Sequence, residues 1–246
     1  MTWFHDAVES FANEIFRALI KDDRYILLLK GLWKSVQITL GAAAIGLVIG
    51  LLLAIAKLLN PQTPVTGPVA RFCRKMLTGF ANGYISFIRG TPAMVQLMVI
   101  YFVIFGKIIP NNLPVEVVAA IAFGINAGAY IAEIIRAGIL AVDKGQTEAG
   151  RSLGLSNGGT MLHIVIPQAV KNVLPALGNE FIILLKETSI AGVIGVSDLT
   201  KAATGIGAAI YYYIVPLLCA AFIYFLVTTV LSLGMNKLEG RLRRSD

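Results

Sequence analysis

The stretch Ser35-Val36-Gln37-Ile38-Thr39-Leu40-Gly41-Ala42-Ala43-Ala44-Ile45-Gly46-Leu47-Val48-Ile49-Gly50-Leu51-Leu52-Leu53-Ala54-Ile55-Ala56 contains no charged side chain. A helix that crosses the hydrocarbon core of a bilayer needs roughly 20 predominantly apolar residues, and this stretch supplies them. A second uncharged run extends from Ala202 to Asn236. The whole chain follows suit. It is 57% apolar and 14% charged, with a mean hydropathy of +0.76, where soluble domains hold about 45–50% apolar and about 25% charged residues. The expected fold class is all-α, a polytopic membrane bundle.

The net charge of +7 does not point to nucleic acid. The basic residues lie mostly in short segments between apolar runs, where membrane orientation is set. Cys73 and Cys219 are far apart and offer neither a disulfide framework nor a metal-ligand spacing. Met1 to Glu9 contains Asp6 and Glu9 and lacks a basic start with an apolar core, so the first apolar run is expected to stay in the membrane. No phosphate-binding GxxxxGK[ST] loop and no Ser/His/Asp arrangement occurs. The chain is expected to perform no chemistry of its own and to hold no metal or cofactor.

Around the two runs the sequence predicts an amphipathic opening over residues 1–33, with Phe11, Ile15, Phe16 and Leu19 at helical spacing on a membrane surface. A spanning region over 34–236 comes next, then a basic tail over 237–246. Five crossings are predicted: Val36–Leu59, Pro92–Ile109, Val115–Leu140, Val173–Val196 and Ile210–Leu233. Asn60-Pro61 and Pro64 end the first. An interfacial helix then leads to a break at Arg89-Gly90-Thr91-Pro92, and Pro110 to Pro114 forms a turn. Gly46 with Gly50, and Gly124 with Gly128, stand at the four-residue spacing that lets helices approach closely.

Lys and Arg collect in the loop holding Arg71, Arg74, Lys75 and Arg89, in the segment holding Lys144 and Arg151, and in the tail. These belong on the cytoplasmic side, which puts the amino terminus outside and the carboxyl terminus inside. Lys21, Arg24, Lys30 and Lys34 argue the other way.

Between the third and fourth crossings, residues 143–167 are too polar to span. The segment Glu148-Ala149-Gly150-Arg151-Ser152-Leu153-Gly154-Leu155-Ser156, running on to Ile164-Val165-Ile166-Pro167, reads as two short helices meeting at a glycine. Gly154 can take the positive φ that ends a helix. Glu148 is expected in the first turn, where its charge suits the helix dipole. Leu153 and Leu155 offer apolar knobs to a partner groove.

The spacing of Glu148, Ala149, Gly154, Ile164 and Pro167 resembles the cytoplasmic EAA loop of binding-protein-dependent ABC importer permeases. Gly150 stands where that family usually has a second alanine, and Ile166 where it usually has leucine. Ser86-Phe87-Ile88-Arg89-Gly90-Thr91-Pro92 with Gln96, Gly128-Ala129-Tyr130 with Glu133 and Arg136, and Asn179-Glu180-Phe181 with Lys186-Glu187-Thr188-Ser189 are similar to the polar amino acid branch. Methionine permeases share the pattern around Asn179–Ser189. The resemblance implies a bacterial inner-membrane permease subunit whose coupling helix, carried by Glu148, Ala149, Gly150, Leu153, Gly154, Leu155, Ile164 and Pro167, enters a cleft of an ATPase. It also implies ATP and Mg held by that ATPase, a solute-binding protein outside, and a second permease chain, either a copy or a relative. The rival class is an ion-coupled secondary transporter or channel.

Ionisable groups inside a bilayer cost about 2.5 kcal/mol or more each, so they need partners or a wet cavity. Glu180, Lys186 and Glu187 raise that demand. They read either as interhelical ion pairs or as a pathway lining of alternating charge suited to a zwitterion. Gln96, Asn126, Tyr130, Asn179, Thr188 and Ser189 extend the candidate lining, and each has the alternative of a helix-to-helix hydrogen bond. Glu133 and Arg136 read as a local ion pair, and His163 as a packing residue.

Overall fold

In the computed structural model, which describes residues 13–58, 67–109 and 112–243, the uncharged run from Ser35 lies inside a longer helix, α1, Tyr25–Leu58. Its 34 residues extend about 51 Å at the usual rise, well beyond a hydrocarbon core of roughly 30 Å. The helix therefore begins before the expected Val36, and the end of the opening segment is one rod with the span. Phe11, the Asn60-Pro61 and Pro64 loop, Pro110 and Arg244 lie outside the described residues.

Helix α2, Pro68–Arg89, meets α3, Ala93–Ile108, at an angle of 106°. The break falls at the expected Arg89-Gly90-Thr91-Pro92. Pro92 has no N–H and takes an extended backbone as the cap of α3. The Gln96 amide satisfies the freed groups, donating to the Ile88 carbonyl at 2.7 Å and to the Thr91 hydroxyl at 2.7 Å.

Helix α4, Val115–Leu140, is the centre of the bundle. It runs parallel to α1, and the two predicted glycine pairs face one another. A Cβ on Gly50 would sit 2.5 Å from Ile131 Cγ2, and one on Gly128 would sit 2.6 Å from Ile49 Cγ2. Gly46 abuts Ala127 and Gly124 abuts Ile45 in the same way. Small residues thus let the backbones close until van der Waals contact holds them, the force available between helices in lipid. Lys34 donates to Glu116 at 2.8 Å near one end of this seam, and Lys57 pairs with Glu133 towards the other.

A short helix α5, Lys144–Ser152, comes next. The chain then turns through Asn157–Thr160 and a π-turn at Met161–Val165 into α6, Ile166–Glu187. Gly138 of α4 packs on Val173 and Ala169 of α6, so these two helices are antiparallel. A 3-10 turn, Thr188–Ile194, and the left-handed Gly195 (φ +95°) lead to α7, Leu199–Ile210. Its amino terminus is capped by the Asp198 carboxylate, which accepts from the Thr200 and Lys201 N–H groups at 3.0 and 3.1 Å. Helix α8, Ile214–Arg243, completes the described chain, with Gly178 of α6 against Met235. The uncharged run from Ala202 is thus two helices, divided at Tyr211 (φ +54°). A hydropathy reading cannot see that break, because the residues around the turn are apolar too.

The expected count of five spans needs correction. Among the described residues three helices, α1, α4 and α8, are long and apolar enough to cross, or four if the bent α2–α3 pair is one span. Helix α6 falls short because Lys171, Glu180, Lys186 and Glu187 lie within it. It also ends at Glu187, not at Val196. Burial ranks the three: 67% of the apolar window of α4 is covered but only 17% of that of α8. Phe222, Phe225 and Val230 of α8 project outward, as lipid-facing side chains do.

Candidate functional site

The segment between α4 and α6 starts from Asp143, whose carboxylate caps α5 by accepting the Gly145 N–H at 2.6 Å. Glu148 consequently lies beyond the first turn, not in it as expected, and stands exposed on the middle of the helix. The sequence signal for the true start was Asp143 itself, an ordinary capping residue that the motif drew attention away from.

At the other end Gly154 has φ +84°. The Gly154 N–H reaches the Arg151 carbonyl at 3.0 Å and the Leu155 N–H reaches the Gly150 carbonyl at 3.1 Å, the paired bonds of a Schellman stop. A single αL residue therefore sets the angle between α5 and the helix that begins at Asn157. Ser156 caps that helix by accepting from the Gly159 N–H at 3.1 Å.

Gly150 explains how the two arms are held. A Cβ there would lie 2.8 Å from both Ile164 Cδ1 and Thr160 Cγ2, so the return arm presses directly on the α5 backbone. Gln168 of α6 adds a bond of 3.2 Å to Gln146 of α5. The packed side is Gly150, Thr160, Ile164 and Val165, and the open side presents Glu148, Ala149 and Leu153, the last 82% exposed. Leu155 and Pro167 are also exposed. His163 is exposed rather than packed, its Nδ1 3.0 Å from the Gly159 carbonyl. The result is a rigid hairpin with a polar and apolar outer face, joined at one end to α4 and at the other to α6.

The other candidates separate into two groups. Gln96 and Asn126 are buried and bonded together, Asn126 Nδ2 donating to Gln96 Oε1 at 2.8 Å. They tie α4 to the α2–α3 bend. Arg89 lies 5.5 Å over the Tyr130 ring, a cation–π contact that secures the same bend. Glu133 accepts from Arg136 at 2.9 Å, as expected, and also from Lys57. Lys57 is 76 positions away, so no local spacing could have announced it.

The second group collects at the end of α6. Thr188 is fully buried and donates to the Leu185 carbonyl at 2.7 Å, which continues the helix into its 3-10 turn. Lys186 and Ser189 line a groove of about 360 Å³ with Thr200 and Tyr224. Glu180 is half-buried beside Ala43, Leu47 and Ile131 in a separate small groove of about 130 Å³. Asn179 faces outward. No single cavity brings the expected lining together within this chain, and no group of three metal-ligating side chains occurs among the described residues.

Residues 46–244 match the family described as binding-protein-dependent transport system inner membrane components. The chain belongs to that family. Its similarity to individual members is broad. It is 37% identical to the arginine transport system permease protein of Bacillus subtilis, over 95% of this chain and 100% of that one. It is 37% identical to a putative glutamine transport system permease protein of Rickettsia conorii, over 93% and 99%. A crystal structure of an amino acid ABC transporter with histidines superposes with a TM-score of 0.79 at 41% identity, over 91% of this chain and 97% of that one. This permease is thus a multi-pass inner-membrane protein of the amino acid branch of ABC importers. The hairpin of α5 lies within the matched residues, in the position the EAA resemblance assigned to it.

Proposed function

We infer that this permease moves polar amino acids inward through a pathway it forms with a second permease chain, and that the α5 hairpin receives the motion of a separate ATPase. The observation that carries this reading is the Schellman-ended hairpin, closed on one side by Gly150 against Thr160 and Ile164 and open on the other at Glu148 and Leu153. A hairpin with a fixed angle between helices anchored in the bundle passes on a push as rigid-body rocking, whereas a solvated loop would absorb it. Such coupling needs a contact that differs between two global states. An ATPase cleft that opens and closes with Mg-ATP supplies one.

The ends of α4 and α8 and the start of α6 lie on the hairpin's side of the bundle, together with Lys144, Arg151, Lys237 and Arg241. That side is cytoplasmic by the distribution of positive charge, and the start of α1 is outside. Helix α6 is the return pass in spite of its charges. Its Glu180 and Lys186 face a pathway completed only by the second permease chain, a copy or a relative, and a solute-binding protein delivers substrate from outside. A lining of both signs suits a zwitterion, and the carboxylate and ammonium escape the cost of burial in lipid by facing water.

The test is Glu148→Arg in vesicles that hold the permease, its ATPase and its binding protein. Uptake driven by ATP falls to background while insertion in the membrane is unchanged. Full uptake by this variant removes the coupling role. Transport by the purified permease without any nucleotide-hydrolysing subunit would favour an ion-coupled carrier instead.

A further inference from the structure

The basic residues near the start of α1 run against the orientation assigned to the chain, and nothing in coupling or in the pathway uses them. The structure gathers Arg24, Lys30 and Lys34 with Lys201 of α7 around one groove of about 390 Å³. Its floor is apolar, formed by Leu27, Ala202 and Ile206. Arg24 is paired with Asp22 and Lys34 with Glu116. Lys30 and Lys201 are exposed and make no ion pair among the described residues.

Depth decides what such a groove can hold. The uncharged run starts at Ser35, so Lys34 marks the edge of the hydrocarbon. Lys30 stands about 6 Å further out along α1 at the usual helical rise, and Arg24 about 15 Å. The headgroup layer is about 5–8 Å thick on each side of the bilayer. Trp33 of α1 and Tyr213 beside the start of α8 are 60% and 48% exposed, and amphipathic rings of this kind settle at headgroup level. Lys30 therefore lies at phosphate depth, with the apolar floor of the groove beside it.

We propose that this groove holds an anionic phospholipid, its phosphate between Lys30 and Lys201 and an acyl chain along Leu27 and Ile206. The acidic face of an external protein would match the charge but would leave the apolar floor without a partner. A lipid satisfies both halves, and it accounts for basic residues on the side where the charge rule disfavours them. α1 and α7 are then bridged by lipid beyond the contact at Gly31, where a Cβ would lie 2.7 Å from the Asp198 carbonyl oxygen.

The test is native mass spectrometry of the permease complex titrated with phosphatidylglycerol or phosphatidylcholine. The complex selects phosphatidylglycerol, and Lys30→Gln with Lys201→Gln weakens that binding by about fivefold per lysine, roughly thirtyfold together. The pair Lys30→Arg and Lys201→Arg retains it. Equal binding of the two lipids, or undiminished phosphatidylglycerol binding by the double glutamine variant, overturns the proposal. If that variant keeps the lipid but loses stimulation of ATP hydrolysis by the binding protein, an acidic protein face is the true occupant. Should it fail to assemble, the native complex still decides, because its affinity for phosphatidylglycerol must fall as salt rises and an affinity indifferent to salt refutes the site.

Discussion

Gly154 offers the sharpest test of the hairpin, because backbone and side-chain effects separate there. Its φ of +84° is a conformation that L side chains rarely adopt, yet a Cβ built on it meets nothing within 4 Å. A substitution therefore encounters no steric obstacle and only the backbone preference changes. Valine, branched at Cβ, is strained in this region by about 1–3 kcal/mol, whereas asparagine visits it readily. If a valine in this place relaxes to negative φ, the bonds from Gly154 N–H to Arg151 and from Leu155 N–H to Gly150 are both lost, and α5 swings relative to α6. A penalty of about 1–3 kcal/mol lowers the share of correctly angled hairpins by up to about 5–150-fold. In vesicles containing the whole importer, Gly154→Val should lose ATP-driven uptake on that scale while Gly154→Asn stays close to the native rate. Equal activity of the two variants would refute the reasoning, since their side chains enter the same open space.

Three further outcomes rest on the packing. Gly128→Leu would drive a side chain into Ile49, already 2.6 Å from the missing Cβ, and should destabilise by about 1–3 kcal/mol; a lowered Tm of the purified complex checks it, with Gly83→Leu, which meets nothing, as the unaffected control. A double-mutant cycle on Gln96→Leu and Asn126→Leu should give a coupling of about 0.6–1.7 kcal/mol in thermal stability, and zero coupling would mean their bond of 2.8 Å is not formed in the membrane. Glu180→Gln and Lys186→Gln should change uptake with little change in assembly; complexes that assemble poorly but transport normally once formed would assign both residues to structure.

Much of the bundle was legible because hydropathy and helical period are local properties. The spanning runs, the break before Pro92, the glycine pairs of α1 and α4, and the αL stop at Gly154 each depend on a few neighbouring residues. The candidate lining was harder. Gln96 and Asn126 were rightly singled out as polar groups needing partners in lipid, but their types and spacing could not tell a substrate from a neighbouring helix. The division of the last uncharged run into α7 and α8 escaped notice, since a helix that turns back in apolar surroundings leaves composition unchanged.

By itself the sequence determined that the chain lives in a bilayer, where its backbone must satisfy its own hydrogen bonds and so becomes helical. It also determined where small residues leave room for close approach and where a glycine must bend the chain. Only the tertiary structure decided that Gly46 and Gly50 meet α4 in parallel, that Lys57 completes Glu133, and that Gly150 clamps the hairpin shut. The physical reason is that helical periodicity tells which side of a rod is sticky or small, while the rod it touches depends on the direction and angle of every pass between them.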